Sequence, residues 1–406
     1  MSGRDPIKDL AHLRHEFGEH GGVNMSIEAS TTFTVLDPAT MPDLFLGRAG
    51  PDKGCYLYGR HFNPTVYNLG RQMAALAGTE AAYCAASGMG AISAVALCLC
   101  DAGDEIVASN TVYGGTYALF HDFLPNKCGI RTRFVDITDL DAVAAAITDK
   151  TRFVFTESVA NPTLRLANIP ELAAIVHENG AQLVVDNTFA PLILSPAALG
   201  ADVVVHSITK FISGASDIIA GAICGSTDFV ESLMDLHTGP LMLLGPTMDP
   251  HVAAAISLRL PHLPLRMTAH GERALALATR LAERGLDVCY PGLKDHPDHE
   301  LFTELHCPEY GYGGVFTIDL GSEQAANALM DNLQNEQRFG YMAVSLGYFD
   351  TLMSCSGSST SSEMTDDDKE AAGISPGLVR VSIGYTGTLE QRWEQLQAAL
   401  EATGIQ

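Results

Sequence analysis

Between about residue 80 and residue 225, short apolar runs alternate with stretches whose apolar positions recur at helical spacing. The runs DEIVAS (104–109), RFVFTES (152–158), AQLVVDN (181–187) and ADVVVHS (201–207) are rich in Val, Ile and Phe. They read as strands covered on both faces, because their apolar positions are continuous rather than alternating. AAYCA (81–85) is strand-like as well, and IPELAAIVHENG (169–180) reads as a helix stopped by Gly180. This alternation predicts an α/β fold, a mainly parallel sheet with helices on both faces. In such sheets a ligand lies beyond the carboxyl ends of the strands, where Glu157, Asn161, Asp186, Asn187, His206, Ser207, Thr209 and Lys210 fall. A long helical region follows from about 250 to 286. Then come GVFTIDL (314–320), LVRVSIGY (378–385) and a closing helix through LEQRWEQLQAALEA, which predict a smaller carboxyl-terminal α/β domain. The Ser-rich stretch SCSGSSTSSEMTDDDKE (354–370) has the composition of a loop, with a functional role left open.

Composition narrows the classes. The 406 residues carry 24 basic against 48 acidic side chains, a formal charge of -24, which argues against a nucleic-acid or anionic-membrane partner. The first residues are charged throughout and lack the apolar core of a signal peptide. Apolar runs such as AISAVALCLC are too short to span a bilayer, so a cytoplasmic protein is expected. Nine cysteines form an odd set, and Cys84, Cys98, Cys100 and Cys224 sit in apolar runs, which suits reduced thiols. No metal site is expected, because neither Cys-x-x-Cys nor His-Glu-x-x-His occurs.

Lys210 stands out among seven lysines. The other six lie beside Asp, Pro, Gly or Asn in turn-like contexts, whereas Lys210 closely follows a Val-Val-Val run. A lysine desolvated there has a lowered pKa and acts as a nucleophile, able to form a Schiff base with an aldehyde; a lysine snorkelling from a strand terminus is the alternative. Upstream, AASGMGAISAV (85–95) places small residues between a strand and a helix, a turn that exposes N–H groups to a phosphate or is simply tight. Asp186 closes an apolar strand 24 residues before Lys210. An acid in that place either caps the next turn or partners a cationic heterocycle such as the ring of pyridoxal 5'-phosphate.

YGRHFNPT (58–65), SGMGA (87–91), YGGT (113–116), ESVANPT (157–163), VVDNTFAP (184–191), HSITKFISG (206–214) and LVRVSIGYTG (378–387) occur in this order. Together they resemble the cystathionine γ-synthase-like family of pyridoxal-phosphate enzymes over nearly the whole chain. SLGYFDTLMSCSGSSTSSE, LMLLGPTMDP and AAGISPGLVRVSIGYTGTLEQRW are most similar to its plant-type methionine γ-lyases. The resemblance implies the aspartate-aminotransferase-like fold (fold type I), with an amino-terminal arm (1–63), a large cofactor domain (64–257) and a carboxyl-terminal domain (258–406). It implies γ-elimination of L-methionine, with cystathionine cleavage or γ-replacement on an O-acylhomoserine as the alternative.

The same resemblance assigns roles. Lys210 would hold pyridoxal phosphate and move protons, Asp186 would partner its ring nitrogen, and Asn161 would face the ring oxygen. Gly88, Met89, Ser207 and Thr209 would bind the phosphate. Tyr113 would stack on the ring and protonate the leaving thiolate, while Arg380, with Ser345 nearby, would clamp the carboxylate of an amino-acid substrate. Tyr58 and Arg60 would reach a neighbouring subunit's phosphate, which implies a homo-oligomer, a homotetramer built of dimers. Two departures from the bacterial members bear on substrate preference. Gly115 stands where they have cysteine, and is expected to leave room beside Tyr113. MDLHTGP, with Asp235 and His237, replaces their Lys-Asp pair.

Overall fold

The computed structural model describes residues 5–13, 20–35, 37–356, 369 and 373–405. Most of the Ser-rich stretch, residues 357–368 and 370, therefore falls outside the described residues.

Seven strands build the larger sheet: β1 (Ala81–Ala85), β2 (Glu105–Ser109), β3 (Arg131–Val135), β4 (Thr151–Glu157), β5 (Gln182–Asp186), β6 (Val203–His206) and β7 (Gly221–Gly225). Their spatial order is β1-β7-β6-β5-β4-β2-β3. Neighbours from β6 to β3 are parallel, and β7 runs antiparallel to both β1 and β6. Side chains alternate between two separate cores. Val154, Val185 and Val204 enter one, Phe155, Val184 and Val205 the other, which explains the unbroken apolar runs. Each fully buried Val or Phe contributes roughly 1.5–3 kcal/mol, enough to fix the register that brings Glu157, Asp186 and Val205 side by side at the strand ends.

A second sheet has the order β10-β11-β12-β9-β8, with β8 (Asp287–Cys289), β9 (Val315–Asp319), β10 (Tyr341–Met342), β11 (Leu352–Cys355) and β12 (Leu378–Ser382). One face is apolar: Phe316, Ile318, Met353, Val379 and Val381 pack with Leu329 and Leu396 of the Glu323–Asp331 and Leu389–Thr403 helices. By alternation, Thr317, Ser354, Arg380 and Ser382 share the other face. The Leu263–Glu283 helix joins the sheets: its Arg266 donates to the carbonyls of Phe211 and Ile212, just past Lys210. No helix among the described residues is long and apolar enough to cross a membrane.

Candidate active site

Asp186 ends β5 and is buried, its Oδ1 accepting the Thr188 N–H at 2.9 Å. Burial raises its pKa, against the lowering effect of Thr188 and of the Lys210 charge. On the adjacent strand Glu157 lies in register with it. Burial and the Asp186 charge raise Glu157 as well. Lys210 sits in the turn beyond β6, and its Nζ donates to Ser345 Oγ at 3.0 Å. Burial, with Arg380 second, pushes the Lys210 amine down to about 8 against the pull of Asp186.

The second sheet delivers the other cation. Arg380, on β12, is 2% exposed. Its guanidinium donates to Asn161 Oδ1 at 3.0 Å and to the Ser345 carbonyl at 2.8 Å, while its Nε has no hydrogen-bond partner among the described residues. Burial lowers Arg380 to about 10; it remains a cation at neutral pH. Guanidinium carries five donors, so Arg380 retains capacity for an anion after both contacts. Ser345 itself adopts φ 90, a region costly for a residue with Cβ. Two residues on, Gly347 has φ 77, and a Cβ there would lie 2.6 Å from Phe211 N and 2.9 Å from the Lys210 carbonyl carbon. The 345–347 segment thus presses directly on the lysine turn, with glycine at the point of closest approach.

At the other end, Ser87 caps the Gly88–Leu99 helix by accepting the Gly90 N–H at 2.9 Å. The N–H groups of Gly88 and Met89 are first-turn donors with no intrahelical acceptor. A Cβ on Gly88 would fall 2.9 Å from Ser207 Cβ, so glycine keeps the helix start open beside Ser207. The Ser207 N–H donates to Thr188 Oγ1 at 2.7 Å. Thr209 Oγ1 exchanges hydrogen bonds with the backbone of Ala220, donating at 3.1 Å and accepting at 2.9 Å.

Tyr113 is 45% exposed, and its backbone N–H donates to Glu157 Oε1 at 2.7 Å. The expected room at Gly115 is taken by the tyrosine itself: a Cβ there would lie 2.6 Å from Tyr113 Cε1. Glycine sets where the ring rests rather than leaving a void. Tyr58 and Arg60 join none of these contacts. Arg60 lies over the Tyr58 ring, 5.5 Å from its centroid, and Tyr58 is exposed. Asp235 binds its own turn through the His237 and Thr238 N–H groups.

A mainly parallel seven-stranded sheet that ends in an acid on one strand and a desolvated lysine just past the next has the layout of fold type I pyridoxal-phosphate enzymes. The chain belongs to the Cys/Met metabolism PLP-dependent enzyme family, whose model matches residues 9–401, and its cofactor is pyridoxal 5'-phosphate. It is 62% identical to a methionine gamma-lyase of Arabidopsis thaliana over 97% of this chain and 90% of that protein. It is 36% identical to an L-methionine gamma-lyase of Pseudomonas putida over 99% and 100% of the two. Among solved structures, a cystathionine gamma synthase from Xanthomonas oryzae pv. oryzae, crystallised with cystathionine, is 30% identical and superposes with a TM-score of 0.87 over 98% of both chains. A putative O-acetylhomoserine (thiol)-lyase from Campylobacter jejuni, carrying a pyridoxyl-lysine phosphate, is 26% identical with a TM-score of 0.90 over 98% of this chain and 100% of that one.

Sequence reasoning placed Glu157 at a strand end without a role, and it missed Arg266 and Gly347. Arg266 lies in an amphipathic helix whose polar positions look solvated, and no local pattern marks it. Gly347 carried a signal of the usual kind, a lone glycine beside an apolar run.

Proposed function

We propose that this chain is a methionine γ-lyase: L-methionine and water become methanethiol, 2-oxobutanoate and ammonia. The observation that carries this reading is the 62% identity to the Arabidopsis methionine gamma-lyase across nearly the whole chain.

The residues fit pyridoxal phosphate. The open helix start at Gly88 and Met89 suits a phosphate, and Ser207 and Thr209 flank it. Asp186, a buried acid with raised pKa, suits a protonated ring nitrogen, and Lys210 is the desolvated amine that would hold the aldehyde. When bound, the cofactor supplies an electron sink for the charge left as C–H bonds break. Lys210, lowered to about 8, is part neutral near the working pH and would accept a substrate proton and return it, steadied by Ser345 Oγ. Arg380, with unspent donors, would seat the substrate carboxylate, and Asn161, bonded to it, would face the ring oxygen. Tyr113 would cover the ring and give a proton to the departing sulfur.

Tyr58 and Arg60, exposed and outside the cluster, would serve the phosphate of a neighbouring subunit in a cytoplasmic homotetramer. Residues 1–63 would form the arm that carries them, 64–257 the cofactor domain and 258–406 the carboxyl-terminal domain. A panel of methionine, homocysteine, cystathionine and O-acetylhomoserine with sulfide tests the activity. Equal yields of 2-oxobutanoate and methanethiol from methionine, without added thiol, are expected. Little 2-oxobutanoate from methionine, with efficient use of O-acetylhomoserine and sulfide, would replace this reading by γ-replacement.

A further inference from the structure

Glu157 is 8% exposed and ends β4 beside Asp186. Both of its oxygens are spent on backbone: Oε1 accepts the Tyr113 N–H at 2.7 Å and Oε2 accepts the Asn161 N–H at 3.0 Å. The two amides begin separate segments, one leading into Gly114–Ala118 and its helical turn, the other into the 161–166 loop. From the first projects the Tyr113 ring; from the second, the amide oxygen that receives Arg380. An acid this buried, next to a second acid, is costly to keep. A capping residue for ordinary turns would sit more cheaply at the surface. The shift of Glu157 agrees with that cost: burial and Asp186 raise it to about 8.

We propose that Glu157 is a positioning residue for the reaction, a single carboxylate that fixes Tyr113 and Asn161 relative to one another and to Asp186. This rests on the functional reading above, in which Tyr113 handles the leaving group and Asn161 faces the ring. Glu157 acts only through those backbones; its oxygens do not reach substrate. The ionised carboxylate is the form that fits, because it offers two acceptors and no obligatory donor, and the Tyr113 and Asn161 contacts accordingly oppose the upward shift. Glutamine keeps the volume but turns an NH2 group toward one of the two N–H donors.

The test uses the full-chain holoenzyme with Glu157→Gln. Hydrogen exchange by mass spectrometry is expected to show at least tenfold faster exchange in peptides covering 112–114 or 160–162, with β5 and β6 peptides unchanged. Turnover of methionine is expected to fall at least tenfold in kcat. Combined with Tyr113→Phe, the loss is expected to be at least threefold smaller than the product of the two single losses, since a displaced ring has no hydroxyl left to misplace. Unchanged exchange, or losses that multiply in full, overturns the proposal. If Glu157→Gln does not fold, Glu157→Asp keeps the charge and withdraws both oxygens by one methylene, and the same two segments must lose protection. Lys210→Ala separates the failures. An active Lys210→Ala overturns the functional reading itself, whereas an inactive one beside a wild-type-like Glu157→Gln overturns only the role given to Glu157.

Discussion

Replacing Arg380 by lysine keeps the positive charge on β12 but removes the planar fork. In the native site the guanidinium reaches Asn161 Oδ1 and the Ser345 carbonyl at 3.0 and 2.8 Å, with no partner for Nε among the described residues. An ammonium has three donors around one point and cannot satisfy both partners and grip two carboxylate oxygens. The loss is one charge-assisted hydrogen bond to substrate, about 1.5–3 kcal/mol, or roughly ten- to hundredfold at about 1.4 kcal/mol per decade. The assay compares kcat/KM for methionine and for methioninamide, which lacks the carboxylate. Wild type is expected to favour methionine strongly, and Arg380→Lys to lose ten- to hundredfold on methionine with little change on the amide. Because lysine retains the charge that helps depress Lys210, the limb of the pH profile that rises as Lys210 loses its proton stays in place; Arg380→Gln removes that charge and shifts this limb upward. Equal discrimination in Arg380→Lys and wild type would refute the assignment of Arg380 to the carboxylate.

Gly115→Ala is expected to push the Tyr113 ring from its present rest, since the new Cβ would lie 2.6 Å from Cε1; kcat on methionine falls about tenfold or more, a part of the roughly 10²–10⁴-fold that a positioned acid or base contributes, with the thermal midpoint nearly unchanged. Mixed oligomers of Arg60→Ala and Lys210→Ala, each inactive alone, should regain activity, because some sites pair an intact Lys210 with a neighbour's intact Arg60; verified hybrids without rescue place Arg60 in its own chain's site.

Much of the frame was legible because its determinants are local. The runs around Val154, Val184 and Val204 are strands since they are buried on two faces, and Lys210 and Asp186 declare themselves by standing at the ends of such runs. The rest depends on contacts between distant segments. The Lys210–Ser345 hydrogen bond joins residues 135 apart, and Arg380–Asn161 joins residues 219 apart. Both require the second sheet to dock its polar face against the strand ends of the first, which no periodicity encodes. β7, running antiparallel inside an otherwise parallel sheet, and the two-residue β10 leave equally little trace. Gly115 shows the limit of reasoning from a missing side chain, because the Tyr113 ring itself occupies the room that the sequence led one to expect beside it.

The central claim is that the chemistry is centred on Lys210. Borohydride reduction of the purified holoenzyme, followed by peptide mass spectrometry, locates the cofactor on one of the seven lysines. The pyridoxyl mass is expected on the peptide containing Lys210 and on no other; its appearance on a different lysine, or on none, would contradict the site described here.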